Sequence, residues 1–223
     1  MRISVLLLAL ASLPALAFDG MVPAQTVPFA FSKKVTSLRD ARYAHVVEQK
    51  TDYSCGAAAL ATLLTHAYNR PVDEQAIILG MFETGDRALI AQQGFSMLDM
   101  KRYLEAQGLR AGGFVVDMEK LRTLKVPAIV LLNDGGYKHF VVLRRFSDSG
   151  ALVADPALGN RTIPAQDFLR QWNKVLLVAA GPGYRLDNPL MKPGSLVAAR
   201  FDRLRAPLQS ELLEFGFKHS DFF

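Results

Sequence analysis

Cysteine is almost absent: the 223-residue chain holds one, Cys55. A single thiol cannot close an internal disulfide, so no bridge framework holds this fold. It leaves an inert buried thiol, an intermolecular pairing site or a reactive group. Long apolar runs are missing as well. No segment after the N-terminus approaches the roughly 18 uninterrupted apolar residues of a membrane-spanning helix, so no transmembrane domain is expected in the mature chain. Charge of one sign is not concentrated: Lys and Arg number 26 against 21 Asp and Glu, a net charge of +5. Without a long basic run, zinc-finger spacing or an RNA-binding aromatic motif, nucleic acid is not an expected partner. A GxxxxGK[ST] phosphate loop is lacking, which argues against a resident ATPase. The four histidines, His45, His66, His139 and His219, have no ligand spacing to one another, and no cysteine cluster exists. No metal or other cofactor is therefore expected. Internal repeats and low-complexity segments are absent too.

What is present is a chain half hydrophobic by composition, long enough for one domain with a real core. It begins with Arg2, an apolar run from Ile3 to Leu13, and Ala15-Leu16-Ala17. That is the pattern of a secretory signal peptide, with cleavage expected after Ala17 and the periplasm as destination. The expected organisation is a signal peptide at 1–17, an extended lead-in at 18–44, a main domain at 45–180 and a tail at 181–223.

Punctuation residues divide the middle of the chain. An Ala/Leu-rich run after Cys55 reads as a buried helix to about Tyr68, stopped by Asn69-Arg70-Pro71. Asp73 is expected to cap a second helix through Leu79. Met81 to Gly94 reads as irregular, with Gly85-Asp86 a loop beside a cleft. Ser96 and Asp99 form a capping-box pattern for a helix over 97–107, with Gly108 just past its end. Strands are expected at Val46–Glu48, Arg110–Val116, Ala128–Leu132, Lys138–Phe146, Ala151–Asp155 and Val175–Ala180. A further edge strand is expected near Val27–Phe31. Short helices are expected from Asp117 to Leu124, over Gln166–Gln171, and in the tail within 195–205 and 208–215. Helices first and an antiparallel meander after give an α+β fold.

Cys55 opens the buried helix, where unpaired N–H groups and the helix dipole favour thiolate. Gln49, six residues upstream, carries an amide that can join the Cys55 N–H in an oxyanion hole. The base must come from elsewhere. His66 lies three turns along the same helix, about 16 Å away at 1.5 Å per residue. His139 opens a firmly anchored strand, and Asp155 ends the next one, where a carboxylate can orient the imidazole. One feature strains this pairing. A hairpin turning at 148 and 149 sets residue 139 opposite 158, leaving Asp155 three rungs away, on the order of 10 Å.

Gln49, Cys55-Gly56, the segment from Lys138 to Leu143, and Ala154-Asp155-Pro156 together resemble the C39 peptidases of the papain-like clan, the leader-cleaving domains of bacteriocin exporters. The resemblance covers residues 45 to 180, and Ser54 stands where that family often has Asp. It implies a papain-like fold and a cysteine endopeptidase with Cys55 as nucleophile, His139 as base and then acid, Asp155 as orienter and Gln49 as oxyanion donor. Lacking the exporters' membrane spans and ATPase, the chain is similar to the free-standing C39-like components of bacterial functional-amyloid secretion systems. This implies a secreted polypeptide substrate, and an amyloid subunit or outer-membrane export pore as partner. The alternative is a non-catalytic module that holds an extended peptide. The phenylalanine-rich tail, with Phe215, Phe217, Phe222 and Phe223, is expected to contact a partner or cover the domain's edge.

Overall fold

The structure is a computed structural model that describes residues 36–51 and 53–192. The signal peptide, the strand near 27–31, the tail helices and His219 lie outside the described residues. The chain forms α1 (Leu38–Arg42), α2 (Cys55–Ala67), α3 (Glu74–Thr84), α4 (Arg87–Gln93), α5 (Met97–Ala106) and β1 (Arg110–Val115). There follow α6 (Met118–Arg122), β2 (Ala128–Asp134), β3 (Tyr137–Ser147), β4 (Gly150–Asp155), β5 (Gly159–Ile163), α7 (Ala165–Gln171) and β6 (Trp172–Ala180). Among the described residues, no helix is long and apolar enough to cross a membrane.

Side-chain caps set most helix starts. Asp73 accepts from Ala76 N, Asp86 from Ala88 N and Leu89 N, and Asp117 from Lys120 N. Ser96 and Asp99 close a reciprocal capping box. The second helix runs on past Leu79 to Thr84. Gly80, its weak point, lies against the Tyr103 ring, so packing offsets low propensity there. The expected irregular stretch contains a helix, α4, because Asp86 caps it.

The six strands form one antiparallel sheet in the order β1-β6-β2-β3-β4-β5. This corrects the simple meander: β6 returns between β1 and β2. Two strand expectations also change. Residues 46–48 form no strand; Val47 N donates to Thr62 Oγ1 and Gln49 N to Pro156 O instead of to a ladder. The strand β5 had no apolar alternation to announce it.

Both sheet faces are covered, which explains why the strands read as continuous apolar runs rather than alternating ones. One face, with Ile129, Val142 and Leu177, shares a core with α2, α3 and α5. The other, with Val130, Val141 and Leu176, packs under Leu121 of α6 and Phe168 of α7. The helix α2 is buried all round, Ala57 to Ala61 having no exposed surface. Small side chains let its backbone approach the sheet, and each buried leucine contributes about 1.5–3 kcal/mol.

Candidate active site

The start of α2 lies on β3. An atom added at the Cβ position of Gly56 would stand 3.4 Å from Phe140 Cδ2 and 2.5 Å from Met100 Cε. Glycine after Cys55 thus lets the helix N-terminus sit against the strand that carries His139. Cys55 is 7 % exposed and lines a cleft of about 830 Å³ with Phe95, Met97, Leu131, Tyr137 and Phe140.

Three of the expected residues meet here. His139 Nε2 lies 2.7 Å from Asp155 Oδ1. The other ring nitrogen, Nδ1, is buried without a standard-geometry hydrogen bond. With Asp155 on Nε2, Nδ1 is the nitrogen left to exchange a proton with the thiol. Burial pushes the Cys55 thiol up, but His139 and the backbone at Phe140 and Gly56 outweigh it, and the net shift is down. Burial likewise lowers the His139 imidazole, yet Asp155 and Cys55 raise it to about 9. Each member favours the other's charged form, which biases the pair toward thiolate and imidazolium. The Tyr137 ring stacks on His139, with centroids 6.0 Å apart.

Asp155 has no exposed surface. Burial raises its pKa, and His139 and Arg161 more than reverse that. Its Oδ1 also accepts from Ala157 N at 2.9 Å and Leu158 N at 3.1 Å, and its Oδ2 from Arg161 Nε at 2.8 Å. A bulge reduces the register problem from three rungs to two, and the two side chains span the rest. Val142 pairs with Ala154 and Leu143 with Val153, but Arg145 pairs with Leu152. Arg144 is the extra residue, and it brings Asp155 one residue nearer to His139 than an uninterrupted hairpin would.

Gln49 is tied to the same loop by its backbone bond to Pro156 O at 3.0 Å. Its side-chain Nε2 donates to Thr51 O at 3.1 Å, and Oε1 is buried without a partner. The buried Glu74 carboxylate accepts from Lys50 N at 3.1 Å, fixing the next residue. His66 and His45 pair edge-on with each other, centroids 5.2 Å apart. Arg161 escaped the sequence reading. Its one signal is a basic residue six positions after Asp155, and it counts only once 156–158 is known to be a tight loop, with Gly159 at φ 75° opposite Asp155.

A family model described as the peptidase C39 family matches residues 43–182. The chain belongs to the peptidase C39 family. It is a cysteine peptidase with the papain-like fold. This C39 peptidase is 50% identical over 193 residues to a "Probable functional amyloid protease FapD" of Pseudomonas aeruginosa, covering 86% of this chain and 85% of that protein. It is 44% identical over 224 residues to the protein of the same name from Pseudomonas fluorescens, covering 100% of this chain and 99% of the other. Among solved structures, a double glycine motif protease from an AMS/PCAT transporter, in complex with its leader peptide, matches with a TM-score of 0.52 and 29% identity. That match covers 60% of this chain and 89% of the transporter domain. The peptidase domain of Streptococcus ComA shares the fold, with a TM-score of 0.53 at 20% identity over 61% of this chain and 97% of that domain.

Proposed function

We propose that this C39 peptidase is exported to the periplasm, its signal peptide removed after Ala17, and there cuts a secreted polypeptide of a functional-amyloid export system. The amyloid subunit and the export pore are the candidate partners. Support for the setting comes from the names of the two Pseudomonas relatives, which align over most or all of their length. Support for the chemistry comes from one observation above the rest: His139 bridges from Asp155 at 2.7 Å to a Cys55 thiol whose pKa it lowers.

In this reading the Cys55 thiolate attacks the scissile carbonyl of an extended peptide lying in the cleft. The oxyanion is met by the Cys55 N–H at the start of α2 and by the second N–H of the Gln49 amide, the first being held by Thr51 O. The tetrahedral intermediate collapses as His139 Nδ1–H protonates the leaving amine, giving a thioester on Cys55. His139, now neutral, takes a proton from water, and the hydroxide attacks the thioester. Collapse releases the acid product and restores thiolate and imidazolium. Asp155 keeps Nε2 protonated throughout and steadies the imidazolium.

The test is to co-express the chain with the secreted proteins of its export system, wild type against Cys55→Ala, and follow their masses. Loss of one processed product in the variant is expected. Identical products from both strains would refute the peptidase assignment in that system. Mass spectrometry of the purified chain checks the new N-terminus at Phe18.

A further inference from the structure

The family match ends at residue 182, yet the chain stays on the domain to the last described residue. Arg185 N donates to Ala67 O at the end of α2 at 2.9 Å. The Tyr184 ring packs on Tyr68, centroids 5.4 Å apart. Leu190, within a 3-10 turn over Pro189–Met191, is fully buried in the core shared with α2.

The carbonyls of this turn converge on one side chain. Arg144 Nε donates to Leu190 O at 2.7 Å, and its Nη2 to Pro189 O at 3.1 Å and Lys192 O at 2.9 Å. Its Nη1 donates to Asn160 Oδ1 at 2.5 Å. The guanidinium is buried, and among the described residues no carboxylate pairs with it. A buried cation lacking a counter-ion persists only where dipoles replace the lost water. Here the oxygens of the turn and of Asn160 do so.

Arg144 is also the residue that the β3 bulge inserts, and the bulge is what draws Asp155 toward His139. The contacts continue on the other side of Asn160. Its Nδ2 donates to Arg42 O at 3.1 Å and Ala44 O at 2.8 Å. The segment so held clasps the loop that Asp155 caps: Tyr43 OH donates to Ala157 O, Arg42 Nε to Leu158 O, and Gln49 N to Pro156 O.

We propose that residues 183–192 form a strap whose carbonyls hold the Arg144 bulge, making Arg144 a positioning residue for the His139–Asp155 pair. Without the strap and Asn160, the buried guanidinium loses its acceptors. The bulge then relaxes, and Asp155 recedes from the imidazole. This inference rests on the reading of Cys55 and His139 as an ion pair.

The test reads Cys55 itself and needs no substrate: the rate of alkylation by iodoacetamide against pH on the purified full chain, with far-UV circular dichroism to check folding. If wild type titrates like an ordinary cysteine, the ion-pair reading fails and the strap proposal falls with it. If wild type reacts as a thiolate at acid pH, the variants decide the strap alone. Asn160→Ala and Arg144→Met are expected to lose roughly tenfold in rate near about pH 6, one unit of thiol pKa, with Arg144→Lys recovering part. A folded Asn160→Ala with a lower Tm but an unchanged pH profile overturns the proposal. Should Arg144→Met not fold, Asn160→Ala decides by the same two outcomes.

Discussion

The two halves of the site are held by different physics. Cys55 stands on α2, whose position is set by apolar packing: Leu60, Leu63 and the alanines Ala57, Ala58, Ala59 and Ala61 are buried in the core. Asp155 stands on the β4–β5 hairpin, whose loop is held by polar bonds from distant parts of the chain. Tyr43, Arg42 and Gln49 reach Pro156, Ala157 and Leu158, and Arg161 reaches the carboxylate itself. Packing is non-directional and degrades gradually, whereas a hydrogen-bonded loop owes its geometry to a few directional contacts. Damage to the helix half should therefore cost stability first, and damage to the hairpin half should cost catalysis first.

The sharpest break is Asp155→Asn. It removes the charge that raises His139 to about 9 and leaves Arg161 facing a neutral amide. Turnover is expected to fall by roughly 10⁴. The basic limb of the pH profile should move down, because the imidazolium now loses its proton at lower pH. Stability follows the same linkage. His139 is raised in the fold, so its contribution is complete below its ordinary pKa of about 6.5 and is lost as pH rises through the folded value. Chemical denaturation of wild type and variant at several pH values should converge on the alkaline side.

Leu60→Ala attacks the other half. With no exposed surface at Leu60, the deletion should destabilise by about 2–5 kcal/mol. The remaining folded molecules should keep the alkylation pH profile of Cys55. A shifted profile would mean that the two halves are not separable.

This difference also explains what was legible in the sequence. Apolar periodicity, caps and turns are local, so α2, α5 and most strands could be read from residues close together. Cys55, His139 and Asp155 could be picked because each sits at the end of such an element. The polar side of the site is built from pairs like Tyr43 with Ala157 and Asp155 with Arg161, which no local pattern announces. The same holds for the bulge at Arg144. It takes one rung off the misfit of three, but the carbonyls that hold it lie more than 40 residues onward. The strand β5 went unread because Gly159-Asn-Arg-Thr-Ile163 pairs on one side only, at the sheet edge, and lacks alternation.

Arg161→Gln sharpens the comparison within the hairpin half. Its guanidinium holds Oδ2 of Asp155 and partly cancels the carboxylate's field at His139. Losing it should loosen the orienter, with a fall in turnover of about tenfold. It should also strengthen the field that favours imidazolium, moving the basic limb up. The opposite directions for Asp155→Asn and Arg161→Gln separate charge from mere loosening, which would move neither limb in a defined sense.

The gentlest probe is Tyr43→Phe. It removes one hydrogen bond, from the hydroxyl to Ala157 O at 2.5 Å, and leaves the ring in place. The global stability change should be small, about 0.5–1.5 kcal/mol. The donor is attached to the loop that Asp155 caps, so turnover should fall several-fold more than that of a surface variant of equal stability. Stability by denaturant and turnover at saturating peptide are to be measured on the same preparation. If the loss of rate tracks stability alone, as it would for Leu60→Ala, the hairpin half is no more fragile than the helix half. The division between packing and directional bonds would then have to be abandoned.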